Sequence, residues 1–194
     1  MKGLYIALAF VLIALFFGIT KYNSLVKTHQ QVQASWADVE STLQRRFDLI
    51  PNLVNTVKGY ATHEKETLEG VTNMRAEAYK TTVNVDLTDP AAMMKLASMQ
   101  GELSGALSRL FAVAENYPDL KASQNFLDLQ SQLEGTENRI NVARTRYNGE
   151  VSRFNAAILT FPGNIVNGML LGYKEFSFFK ADERAQNAPN VNFN

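Results

Sequence analysis

The chain has no cysteine. Disulfides, thiolate zinc sites, lipidated cysteines and cysteine nucleophiles are excluded together. Histidine is almost missing as well: only His29 and His63 occur, which leaves little for metal-bound or acid–base chemistry. The 19 acidic and 19 basic side chains cancel to a formal net charge of zero. Nucleic acid, which needs a dense positive surface, is therefore not an expected partner. There is no Gly-x-Ser-x-Gly elbow, no phosphate-binding glycine loop, no dinucleotide glycine pattern and no His-Glu-x-x-His pair. The serine and threonine hydroxyls lie in ordinary helical contexts without a histidine beside them, so a nucleophile lacks its base. The expectation is no enzyme, no catalytic residue, no cofactor and no metal. Five prolines and few glycines within the long stretches leave room for long helices.

One long apolar run stands out. Gly3 to Ile19 reads GLYIALAFVLIALFFGI, bracketed by Lys2 and Lys21. About 17 to 25 such residues carry a helix across a bilayer. Residues 3–19 are thus expected to contact membrane lipid as a single-pass anchor. A cleaved signal peptide needs small residues before its cut, and Phe16 to Tyr22 has no Ala-x-Ala-like site, so an uncleaved anchor is favoured. Lys2 on one side faces Lys21 and Lys27 on the other, and this count does not set orientation. The lack of cysteine and the many Asn and Gln residues tilt the reading towards an extracytoplasmic domain.

Beyond the anchor, apolar positions recur at gaps of four and three: Leu25, His29, Val32, Trp36, Val39, Leu43, Phe47 and Ile50. This is the narrow seam of a helical bundle or coiled coil. Pro51 removes an amide donor and predicts a kink or break near Asp48 to Pro51. The pattern resumes from Leu53 to Ala78, Thr81 to Thr88 reads as a connection, and Asp89-Pro90 reads as a cap and first residue of a helix to about Glu115. A last long helix carries Phe126, Leu133, Ile140, Tyr147, Phe154 and Ile158 on one stripe and stops at Phe161-Pro162-Gly163. The expected fold class is all-α: an N-terminal transmembrane helix, then an elongated antiparallel bundle of about three long helices, the first kinked at a proline. The expected organisation is an anchor at 1–21, the bundle at 22–160, and an apolar C-terminal segment with a polar tail at 161–194.

Several blocks together carry a family resemblance. They are Tyr22-Asn23-Ser24-Leu25-Val26, the run Gln44 to Glu64 (QRRFDLIPNLVNTVKGYATHE), Phe111 to Ala122 (FAVAENYPDLKA), Thr136 to Ile140 (TENRI), Arg146-Tyr147-Asn148 and Phe161-Pro162. In these the chain resembles the LemA family along essentially its whole length. The resemblance implies one N-terminal membrane helix, an elongated helical domain and a place in the bacterial cell membrane. It implies no established enzymatic activity or cofactor. It also suggests membrane-associated assembly, because genes for such proteins often neighbour those for membrane proteins with TPM-type domains.

Four groups of residues are candidates for more than packing. Arg45, Arg46, Asp48, Asn52, Asn55 and Lys58 crowd around Pro51. They suit an anion site, but satisfying groups freed at the proline and pairing with acids on the last helix is the favoured role. Glu64 falls on a seam, where a lone charge is costly, and a pair with Arg139 or Arg144 is expected. A ferritin-like metal site needs glutamate three residues before histidine, and Val26 and Tyr60 hold those positions. Asn138, Asn141, Asn148 and Asn155 share one side of the last helix, suited to fixing register or to lining a peptide groove. The segment from Phe161 to Phe179, including Phe178, caps the bundle, meets a second copy or lies on the bilayer.

The function expected from these features is that of a membrane-anchored, non-enzymatic helical scaffold or interaction protein. It is expected to self-associate as a homo-oligomer and to engage other cell-envelope proteins. The alternative is a monomeric tethered adaptor holding a peptide or envelope-protein partner in a helical groove.

Overall fold

The computed structural model describes residues 2–61 and 63–180. Met1, Thr62 and the polar tail expected from Ala181 onward lie outside the described residues. Among the described residues every regular element is helical.

Helix α1 spans Lys2–Lys58 without interruption. At 1.5 Å per residue it is about 85 Å long. Its two halves differ in what surrounds them. The large apolar side chains between Leu4 and Ile19, such as Ile6, Phe10, Leu12 and Phe16, are exposed, whereas Leu25, Val32, Trp36, Val39, Leu43, Phe47, Ile50, Leu53 and Val57 are buried. The four-three spacing places these on one seam, and burying each large side chain there contributes roughly 1.5–3 kcal/mol.

Helix α2 (Lys65–Val83) returns beside α1, and α3 (Pro90–Ala114) runs back along α2. A four-residue α4 (Pro118–Lys121) leads into α5 (Gln124–Leu159), the principal partner of α1. Two ion pairs show that α1 and α5 are antiparallel: Asp38 meets Arg146 at 3.1 Å and Arg46 meets Glu137 at 3.2 Å, so one helix ascends as the other descends. The buried stripe of α5 is the expected one, from Phe126 through Leu133, Ile140, Tyr147 and Phe154 to Ile158. Asp89 caps α3 as expected, its carboxylate accepting from the Ala91 amide at 2.8 Å with Pro90 in the first turn.

Three boundaries differ from the sequence expectation. Among the described residues the long helices number four rather than three, because the chain stays helical through Pro51 and reverses later, between Gly59 and Glu64. Gly59 is a weak helix former, and its amide bonds back to Asn55 and Thr56 as α1 ends. His63 and Glu64 consequently lie in that turn, not on a helix. At the far end, α2 continues to Val83, so the connection is 84–89 only; Asp86 organises it by accepting from the Thr88 amide and hydroxyl, both at 2.8 Å.

After α5 the chain turns through Pro162 into α6 (Gly163–Val166) and a π-helical turn, Asn167–Leu171. The bend between α5 and this segment is 83°. Gly163 permits the close approach, because a Cβ there would stand 2.0 Å from the Ala157 carbonyl oxygen. Gly172, at φ +65°, ends the turn in the left-handed region.

Candidate functional site

The polar residues around Pro51 divide between two surfaces. Arg46 is 3% exposed and reaches across the bundle, its Nη2 donating to Ser104 Oγ at 2.6 Å and its Nη1 to Gln100 at 3.4 Å while pairing with Glu137. Burial lowers the pKa of its guanidinium, and the Glu137 carboxylate counters that. Gln100 in turn donates to Thr82 at 3.3 Å, which links α1, α2, α3 and α5 in one chain of contacts. Arg45, Asp48, Asn52 and Arg139 face the opposite way and line a shallow exposed depression. Asn55 and Lys58 are exposed. The six residues therefore do not form one site.

Pro51 itself is exposed, and the carbonyl it leaves without an amide, that of Phe47, accepts from Arg75 Nε at 2.7 Å. Sequence reasoning missed Arg75, which reaches the proline from α2. Glu64 meets neither Arg139 nor Arg144. Its carboxylate accepts from the Tyr117 hydroxyl at 2.9 Å, a bond that raises the Tyr117 pKa. The turn places Glu64 near the end of α3, out of reach of the arginines on α5.

The asparagine row has an occupant. Asn148 and Asn155 each make two bonds to the backbone of the extended segment that follows Gly172. Asn155 donates to the Phe176 carbonyl at 2.8 Å and accepts from the Phe176 amide at 3.0 Å. Asn148 does the same with Phe179, at 2.9 and 2.8 Å. The spacing explains the match. Seven residues of α-helix and three of extended chain both advance about 10 Å, so two carboxamides two turns apart meet two peptide units of an extended segment. Asn167 holds Tyr173 in the same two-bonded manner. Tyr147, whose phenol is raised by burial, donates to the Ser177 carbonyl at 3.0 Å. The Ser177 amide reaches the Leu87 carbonyl at 2.7 Å and ties the segment to the connection between α2 and α3.

Side chains complete the strap. Phe176 and Phe179 are buried. Trp36, buried as its seam position predicts, packs edge-on against Tyr147 and Phe179. His29 stacks on Tyr173 at 4.2 Å and contacts Phe154 and Phe176, and its pKa is lowered by burial. Asn138 and Asn141 remain exposed, and Phe178 points outward. The Phe161 to Phe179 segment is thus two pieces: 161–171 across the end of α5, and 173–179 along its flank.

One larger opening exists beside this frame. A groove of about 990 Å³ lies between α2, α3 and α5, with Arg46 and Glu137 on one wall and Gly70, Gly101 and Gly105 among the others. No cluster of three histidine, aspartate or glutamate side chains suited to a metal is present among the described residues. Every buried side-chain nitrogen or oxygen there has a hydrogen-bond partner.

Comparison with known proteins places this architecture. Protein LemA of Metamycoplasma hominis is 29% identical over 165 residues, covering 85% of this chain and 71% of that one. Magnetosome protein MamQ of Magnetospirillum gryphiswaldense is 25% identical over 178 residues, covering 83% and 65%. Magnetosome protein MamQ 2 of Paramagnetospirillum magneticum is 25% identical over 179 residues, covering 84% and 65%. The chain thus spans under two thirds of the MamQ relatives. With the continuous first helix, the antiparallel frame and a match of residues 35–193 to the family's sequence pattern, this protein belongs to the LemA family.

Proposed function

We propose that this protein is a membrane-anchored, non-enzymatic helical scaffold that associates with copies of itself and with other proteins of the bacterial cell envelope. One observation carries the reading. The exposed apolar surface from Leu4 to Ile19 and the buried seam from Leu25 to Val57 belong to a single unbroken helix. A bundle built on the same helix as its anchor is held at a fixed distance from the bilayer, here on the extracytoplasmic side. Anchoring confines copies to two dimensions and raises their effective concentration, so weak lateral contacts suffice. The groove between α2, α3 and α5, with glycines in its walls, gives such contacts room for close approach. Mass measurement of the full chain in lipid nanodiscs and in mild detergent tests the proposal. Discrete multimers are expected, and monomer alone at every concentration would sink it.

A second reading is favoured by the strap. The helical surface already holds an extended segment of its own chain by backbone bonds that depend little on sequence. An adaptor would hold a partner peptide in the same chemical manner, within the groove that remains open. That reading expects monomers and saturable peptide binding.

A further inference from the structure

From Phe154 to Tyr173 there is no charged residue. The second half of this stretch also gathers four exposed large apolar side chains within ten residues, where others such as Met94 and Val142 stand singly: Phe161 is 79% exposed, Met169 78%, Leu170 67% and Ile165 50%. Val166 and Leu171, between them, pack against the core. The segment is therefore two-sided, with an inner face on the bundle and an outer face carrying nothing but apolar groups and amides.

Its position gives the outer face a partner. A Cβ on Gly163 would lie 3.8 Å from Leu25 of α1, and Leu25 follows the end of the apolar run at Ile19 by six residues, or about 9 Å of helix. The polar layer of one leaflet is about 5–8 Å deep, and interfacial helices sink about 5–10 Å into the boundary between headgroups and acyl chains. The segment thus stands where α1 leaves the bilayer. The bend of 83° sets Gly163–Leu171 nearly at right angles to α5, and since α5 is antiparallel to α1 the segment runs along the membrane plane.

We propose that Phe161, Ile165, Met169 and Leu170 form a foot inserted in the bilayer interface, a second membrane contact beside the spanning helix. This rests on the anchor proposed above and adds to it: one spanning helix leaves the bundle free to tilt and rotate, whereas a foot at the side of that helix fixes both. The absence of charge makes hydrocarbon and the neutral headgroup boundary the recognised chemistry, not anionic lipid. Insertion is therefore independent of salt and of lipid charge.

The lack of native cysteine makes a direct test available. Single variants Leu170→Cys, Phe10→Cys and Val142→Cys of the full chain carry a polarity-sensitive fluorophore and are reconstituted in phosphatidylcholine vesicles. Nitroxide quenchers are placed at the headgroup or deep in the acyl chains. Val142 is exposed on α5, about 25 Å further up the bundle than its end at Leu159. The Leu170 probe is expected to lose most of its emission to headgroup-level quencher, equally with and without phosphatidylglycerol. The Phe10 probe is expected to answer to deep quencher and the Val142 probe to neither. A Leu170 probe as aqueous as the Val142 one, with Phe10 still quenched, overturns the foot and leaves the anchor standing. An unquenched Phe10 probe overturns both. A Leu170 probe shielded from water but blind to lipid quenchers assigns the surface to a second copy and overturns the foot.

Discussion

Arg75 donates its Nε hydrogen to the Phe47 carbonyl at 2.7 Å, taking the place of the amide that Pro51 lacks. The contact explains why α1 does not end at the proline. An internal proline costs roughly 3 kcal/mol or more, part of it the orphaned carbonyl four residues earlier. A charged donor from α2 compensates that part. Arg75→Ala should therefore lower stability by about 2 kcal/mol, the scale of a hydrogen bond from a charged group. Pro51→Ala restores the amide, so the same Arg75→Ala change should cost markedly less in that background. Chemical unfolding of the four proteins gives the coupling. Equal costs in both backgrounds would remove the substitution argument.

Arg46 is the charge most fully enclosed by the frame. Truncation to alanine strips partners from Glu137, Gln100 and Ser104 at once, and losing one member of a buried network costs about 3–5 kcal/mol. Glu137→Gln keeps an acceptor on a side chain partly in water and should cost far less. Thermal melting of both variants checks this ordering. If Arg46→Ala melted normally but lost self-association, Arg46 would belong to an interface instead.

Asn155→Ala leaves the Phe176 amide and carbonyl without partners in a buried place. Each such orphan costs about 1–3 kcal/mol. The expected response is local: faster hydrogen exchange at Phe176 and Phe179 and early proteolysis within 173–179, with α1 and α2 still protected. Asn148→Ala should act the same way, more weakly, because it is only half buried. Uniform loss of protection throughout the bundle would show that the strap is not a separable unit.

Burial holds the His29 imidazole below its ordinary value of 6.5. The unfolded chain therefore binds this proton more readily than the folded one. The contribution is fully present above about pH 6.5 and is lost as pH falls towards the lowered folded value. Protonation also desolvates a cation against Tyr173, Phe154 and Phe176. Melting temperature should drop on acidification from about pH 7 to 5 more steeply in the native chain than in His29→Gln.

What could be read without coordinates was the part governed by near neighbours in the chain. The apolar start of the first helix, the seam from Leu25 to Val57, the α5 stripe and the Asp89-Pro90 cap follow from helical periodicity and terminal chemistry, which act over a few residues. The polar partnerships did not follow. Arg75 is 28 residues from Phe47, Glu64 is 53 from Tyr117, and Asn148 is 31 from Phe179. No local spacing encodes which of several arginines or asparagines lies opposite a given carbonyl. The helix reversal at Gly59 and the turn at Gly163 settled that, because they bring the remote segments within bonding distance. Sequence alone determined that this protein is a set of long helices led by an apolar one. Tertiary structure decided which polar groups are shared between them, since a hydrogen bond forms only where packing has already placed donor and acceptor about 3 Å apart.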